Sequence, residues 1–168
     1  MSNHIENLKI SNFKCFKDLE VSNIGRVNLI GGKNNVGKTA FLEAVELFAA
    51  SNKPFDLFNS IYKILKRRQD VNQSKYFEID FIYDDELEIE ISSLFKACKL
   101  KRGLEVVSRD LFTDDNNILP TEIITASVNN AEEKIPIEFI NRIDRFASQK
   151  NIKSNLIYIS ASKTQEQE

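Results

Sequence analysis

Eight residues constrain this chain more than any others. Gly32-Lys33-Asn34-Asn35-Val36-Gly37-Lys38-Thr39 satisfies the pattern G-x-x-x-x-G-K-[ST] at every fixed position. The apolar run before it, Val27-Asn28-Leu29-Ile30, reads as a buried strand. The residues after it, Ala40 to Ala49, read as a helix. Strand, glycine-bounded loop and helix form the setting in which this pattern makes a phosphate cradle. A chance match in a Gly/Asn turn would need neither flank.

The residue types explain the chemistry. Gly31, Gly32 and Gly37 admit backbone angles that a Cβ disfavours and allow a ligand close approach. Successive N–H groups can then converge as an anion nest, reinforced by the positive end of the following helix. The candidate phosphate-binding residues are Gly32, Lys33, Asn34, Asn35, Val36, Gly37, Lys38, Thr39 and Ala40. Lys38 is expected to reach the β- and γ-phosphates and is the catalytic candidate, while the Thr39 hydroxyl is the candidate Mg²⁺ ligand. The loop holds no carboxylate that would repel a phosphate.

Residues 4–50 carry a more specific resemblance. Ile5-Glu6-Asn7-Leu8-Lys9-Ile10-Ser11-Asn12-Phe13-Lys14-Cys15-Phe16 resembles the opening strand and turn of ABC-type ATPases of the OLD, RecF and SMC kind. Phe41-Leu42-Glu43-Ala44-Val45 is similar to the helix that follows their loop. Asn34-Asn35 looks most like the OLD branch and related bacterial AAA-type ATPases. The resemblance implies an α/β fold: a P-loop NTPase core of parallel sheet and helices, with an adjoining antiparallel meander, like lobe one of an ABC head. It implies ATP and Mg²⁺ as ligands and a homodimer that closes through the nucleotide. It also implies work on DNA, in repair or phage defence, with DNA or an effector nuclease as partner. Lys14 would lie near the nucleotide. Phe13 and Phe16 are either a wall around the base or core residues. ATP rather than GTP follows from the resemblance, and no guanine-reading Asn-Lys-x-Asp stretch is present.

Such a head also needs a Walker B strand, a signature motif and a late switch histidine. None is present. The nearest imitation of Walker B, Phe81-Ile82-Tyr83-Asp84-Asp85-Glu86, follows the alternating run Phe77–Phe81 and reads as a hairpin turn. The single histidine is His4. Residues 1–168 are therefore expected to be one nucleotide-binding domain, the N-terminal portion of a longer ATPase head. The alternative is a short subunit that senses nucleotide for a partner without hydrolysing it. A small nucleotide kinase would need an arginine-rich lid, and no such stretch follows the loop.

At 168 residues with 42% hydrophobic content, the chain fits one globular domain. No apolar run approaches the roughly twenty residues that span a bilayer. The first residues lack the basic and apolar regions of a signal peptide. Cys15 and Cys98 follow no metal spacing and read as free thiols. A cytoplasmic location is expected, with no membrane partner. The net charge of −2 gives no general attraction to nucleic acid.

Along the chain, Ile5–Ser11 and Phe16–Val21 read as an antiparallel strand pair, Arg26–Ile30 as the central strand and Thr39–Ala50 as the loop helix. Phe55–Arg68 has the apolar spacing of a second helix. Its end, Lys66-Arg67-Arg68, is either a DNA-phosphate contact or a solvated helix end. Residues 76–113 read as an antiparallel meander containing Tyr76–Tyr83, Leu87–Ile91 and Leu100–Val107. Glu86, Glu88 and Glu90 stand on the polar side of its second strand. Ile123–Val128 is a further strand, Pro136–Gln149 a helix, and Asn155–Ser160 a parallel core strand. Gln165 is a candidate Mg²⁺ ligand by resemblance to the Q-loop, or part of a polar terminus.

Overall fold

Strand β1 (Leu8–Phe13) buries Leu8, Ile10 and Phe13 and opens the chain as one arm of a hairpin. The other arm is β2 (Phe16–Val21), paired antiparallel with Leu8 opposite Val21 and Phe13 opposite Phe16. Asn12 and Lys14 take left-handed backbone angles in this turn, with φ of 56° and 55°. The structure, a computed structural model, describes residues 5–72, 87–106 and 120–140.

Two helices follow. Helix α1 spans Lys38–Ala50 and α2 spans Pro54–Asn72. Only three residues join them, so they form a helical hairpin. The last turn of α1 is finished by side chains. Ser51 Oγ donates to the Leu47 carbonyl at 2.6 Å. The Lys96 ammonium donates to the Phe48 carbonyl and stands 4.4 Å from the Phe48 ring centroid. Burial lowers the Lys96 pKa, and Cys98 and Asp56 oppose that shift.

The start of α2 is capped from within. Pro54 occupies its first position, where a missing N–H costs nothing. Asp56 Oδ2 accepts from the N–H groups of Asn52 and Lys53 at 3.0 and 3.1 Å. That is the reciprocal arm of a capping box. Asp56→Ala is expected to cost about 1 kcal/mol and to lower the melting temperature by about 2–8 °C. An unchanged melting temperature would show that the cap contributes nothing.

The sheet is completed by β3 (Ile89–Ser92), β4 (Ala97–Val106), β5 (Pro120–Val128) and β6 (Ala131–Pro136). Its order is β2-β1-β3-β4-β5-β6. The registers align Ile10, Ile91, Cys98 and Val128 in one row and Ile89, Leu100 and Ala126 in the next. All seven are buried and form the sheet's contribution to one core with α1 and α2. Charged pairs populate the more exposed positions: Lys99 with Glu88 at 2.7 Å, Arg102 with Glu122 at 2.8 Å and Lys134 with Glu105 at 2.5 Å. Each such pair contributes only ~0–1 kcal/mol.

The opening pair and both helices form as the sequence predicts, with shifted ends, and of the meander Leu87–Ile91 and Leu100–Val107 appear as β3 and β4, with β3 lying between β1 and β4. No parallel core forms among the described residues. Every strand pairing among the described residues is antiparallel. The segment expected as the central strand forms no strand, and Val27 and Leu29 are 93% and 99% exposed. A parallel core strand needs neighbours on its edges, and none of the described strands pairs with residues 26–30. Tyr76–Tyr83, the Phe81–Glu86 turn, Asn155–Ser160, His4 and Gln165 lie outside the described residues. So does most of Pro136–Gln149, of which Ile137–Ile140 is described as the short helix α3. No described helix is long and apolar enough to cross a membrane.

Both cysteines are free, Cys15 exposed and Cys98 buried. Burial pushes the Cys98 thiol up from 9.0 to about 11. Its contribution to stability is therefore whole below pH 9.0 and fades as pH rises towards about 11. At pH 8 a thiol-disulfide reagent is expected to titrate Cys15 rapidly and Cys98 only after unfolding. Two fast thiols in the native protein would contradict this placement.

Candidate functional site

The site is built on the first turn of α1. Gly37 caps the helix with φ 95° and ψ 9°, no side chain caps that turn, and no acidic residue lies in it. The first helical bond runs from the Phe41 N–H to the Gly37 carbonyl at 2.9 Å. The earlier N–H groups of a helix have no partner within it. Here they open towards a loop that is exposed from Gly31 to Val36.

Three residues give the loop its curl. Gly32 has φ 146°, Asn35 φ 61° and Gly37 φ 95°. Asparagine tolerates the left-handed region better than most residues, which accounts for Asn35 at that position. A Cβ on Gly32 would lie 3.1 Å from Val36 Cγ2. A Cβ on Gly37 would lie 2.6 Å from Cys15 Sγ and 3.0 Å from Phe16 Cζ. The β1–β2 turn is thus the floor on which the end of the loop rests.

The loop wraps its own lysine. Lys38 Nζ donates to the carbonyls of Gly32 and Lys33 at 2.6 and 2.5 Å. An ammonium, an uncapped helix start and backbone that only glycine fits suit an anion of phosphate size. The same set offers one hydroxyl to a hard cation, that of the exposed Thr39. No cluster of metal-ligating side chains occurs among the described residues.

The other sequence candidates have partners of their own. The Lys14 ammonium pairs with Glu43 of α1, a buried carboxylate. Phe13 is fully buried in the core, whereas Phe16 is partly buried against Gly37. Arg67 and Arg68 lie within α2, not at its end, and pair with α1. Arg67 Nη1 is 3.1 Å from Glu46 Oε1, and Arg68 Nε and Nη2 are 3.0 and 2.8 Å from the two Glu43 oxygens. Glu88 and Glu90 both face Lys99. The sequence gives Glu43 and Cys15 no role at the loop, naming Glu43 only within the helix that resembles the family's and Cys15 only as a free thiol. A further signal for Glu43 is its place four residues after Thr39, on the same side of the helix.

Comparison with known proteins agrees with this geometry. Residues 4–168 match the family model described as an AAA ATPase domain. An uncharacterized protein of Methanocaldococcus jannaschii is 34% identical over 91 residues, covering 54% of this chain and 42% of its own. An ATP/GTP phosphatase of Helicobacter pylori is 26% identical, covering 71% and 32%. The DNA replication and repair protein RecF of Flavobacterium johnsoniae is 28% identical, covering 73% and 33%. The chain therefore spans less than half the length of each of these relatives. With its glycine-bounded loop seated at the start of α1, the chain belongs to the AAA ATPase domain family of P-loop proteins.

Proposed function

We propose that this chain binds ATP with Mg²⁺ as the N-terminal portion of a longer ATPase head of the OLD and RecF kind. The observation that carries this reading is the loop itself: Lys38 folded onto the Gly32 and Lys33 carbonyls, ahead of an uncapped helix. Gly32, Lys33, Asn34, Asn35, Val36, Gly37 and Ala40 would hold the phosphates through backbone N–H groups. Lys38 would turn from its carbonyls to the β- and γ-oxygens. Thr39, and Gln165 from outside the described residues, would ligate the metal. Bound Mg²⁺ would supply charge neutralisation at those oxygens.

The nearly full exposure of Val27 and Leu29 fits a head in which further strands cover this run, because an apolar run beside a nucleotide loop gains most when strands cover it. Those strands would come from residues outside the described ones or from additional polypeptide, which would also supply the groups that orient the attacking water. ATP would act as a dimerising switch between two heads in the cytoplasm, coupled to DNA or to an effector nuclease. Fold alone fixes none of these couplings. The rival reading is a nucleotide-sensing subunit that never hydrolyses ATP.

The test has two parts. Calorimetric titration with ATP and Mg²⁺ is expected to show saturable binding that is weaker without the metal. The intact mass of the protein from its native cell then separates the readings. A mass far above 19.3 kDa, with turnover, supports the ATPase head. A mass of 19.3 kDa with binding and no turnover supports the sensor. Absence of ATP binding to the full-length protein would overturn both.

A further inference from the structure

We propose that Glu43 is a positioning residue for the nucleotide loop, acting through Lys14 without touching the ligand. This rests on the reading of the loop as an ATP site. Glu43 lies on α1 one turn beyond Thr39, with a side chain only 5% exposed. Its carboxylate accepts from Lys14 Nζ in the β1–β2 turn and from Arg68 Nε and Nη2 of α2. One buried anion thus joins α1, the β1–β2 turn and α2.

The path to the loop is short. Lys14 holds a left-handed backbone angle, as does Asn12 two residues before it. Non-glycine residues keep such angles only when their surroundings fix them. The next two residues, Cys15 and Phe16, occupy the space directly against Gly37. Gly37 in turn sets the direction of the first N–H groups of α1. Anchoring Lys14 on Glu43 keeps that turn pressed against the loop, and the Arg68 fork keeps the carboxylate aimed at it. Lys14 also stands 5.2 Å from the Phe13 ring centroid, so its stem runs over the core rather than out into solvent.

Glu46 supplies the comparison. It is 8% exposed on the same helix, and its carboxylate pairs with Arg67 of α2, where that of Glu43 pairs with both Lys14 and Arg68. In the full-length protein, Glu43→Gln, Glu46→Gln, Lys14→Met and the Lys14→Met/Glu43→Gln double variant are melted and titrated with a fluorescent N-methylanthraniloyl ATP. Glu43→Gln and Glu46→Gln are expected to lower the melting temperature alike. Only Glu43→Gln is expected to weaken nucleotide binding, tenfold or more. Lys14→Met should match it, and the double variant should be no weaker than either single.

Equal affinity changes in Glu43→Gln and Glu46→Gln would overturn the proposal, as would an unchanged Glu43→Gln. If Lys14→Met weakens binding while Glu43→Gln tightens it, Lys14 contacts the phosphates itself and the positioning role is wrong. If Glu43→Gln does not fold, Lys14→Met decides: unchanged affinity overturns the proposal. A wild-type protein that binds no ATP overturns the reading of the loop, and this inference with it.

Discussion

Lys38→Ala is expected to weaken ATP binding by at least about a hundredfold while leaving the fold intact. The Lys38 ammonium now rests on two loop carbonyls, at 2.6 Å from Gly32 and 2.5 Å from Lys33. A phosphate arriving in the loop competes for the same protons and adds charge attraction that a carbonyl lacks. Each charge-assisted bond contributes about 1.5–3 kcal/mol, so losing two removes roughly 3–6 kcal/mol of affinity. That is about two to four decades in the dissociation constant. The loop is exposed and outside the core, so the stability cost should stay within about 1 kcal/mol. Lys38→Arg is expected to fall between, because a planar fork cannot reproduce a compact ammonium inside a tight curl. Calorimetry with ATP and Mg²⁺, beside thermal melts, reads both quantities. ATP affinity within threefold of wild type in Lys38→Ala would place the nucleotide site elsewhere.

What the sequence made legible was whatever is written locally. The loop depends on residue types at fixed spacing within eight positions, and it is found where the spacing places it. Helices α1 and α2 follow from an apolar period that each segment carries by itself. Strand β6 was missed because Ala131-Glu132-Glu133-Lys134 is exposed and has no alternation. It forms because Asn129, at φ 53°, turns the chain back so that Ala131 meets Val128. Residues 26–30 have the apolarity of a core strand, yet apolarity does not supply a neighbour among the described strands.

Long-range pairing was illegible for the same reason. Nothing near Arg67 and Arg68 in the sequence shows that α2 folds back along α1 and sets them against Glu46 and Glu43. Two arginines of a run that reads as a solvated helix end or a DNA-phosphate contact tie two helices together. Lys14 likewise looked like a nucleotide ligand by resemblance, and its partner in this structure is a carboxylate twenty-nine residues on. The chemistry of the site was thus readable from the loop outward, but its support was not.

The second large effect concerns that support. Gly37→Ala is expected to lower stability by about 2–5 kcal/mol and to abolish ATP binding. Two separable causes contribute. At φ 95° a residue with a Cβ is strained, at a cost of about 1–2 kcal/mol. The added carbon would also sit 2.6 Å from Cys15 Sγ and 3.0 Å from Phe16 Cζ, and overpacking of this kind costs about 1–3 kcal/mol. Relief requires the β1–β2 turn and the start of α1 to part, which tilts the first N–H groups away from the phosphate. Cys15→Ala removes the nearest clashing atom but not the backbone strain. The double variant Gly37→Ala/Cys15→Ala should therefore regain only the packing part, seen as a partial recovery of the melting temperature. If Cys15→Ala restores nothing, the turn is not pressed against the loop as the structure places it. If it restores everything, the left-handed angle at Gly37 is not what glycine is needed for.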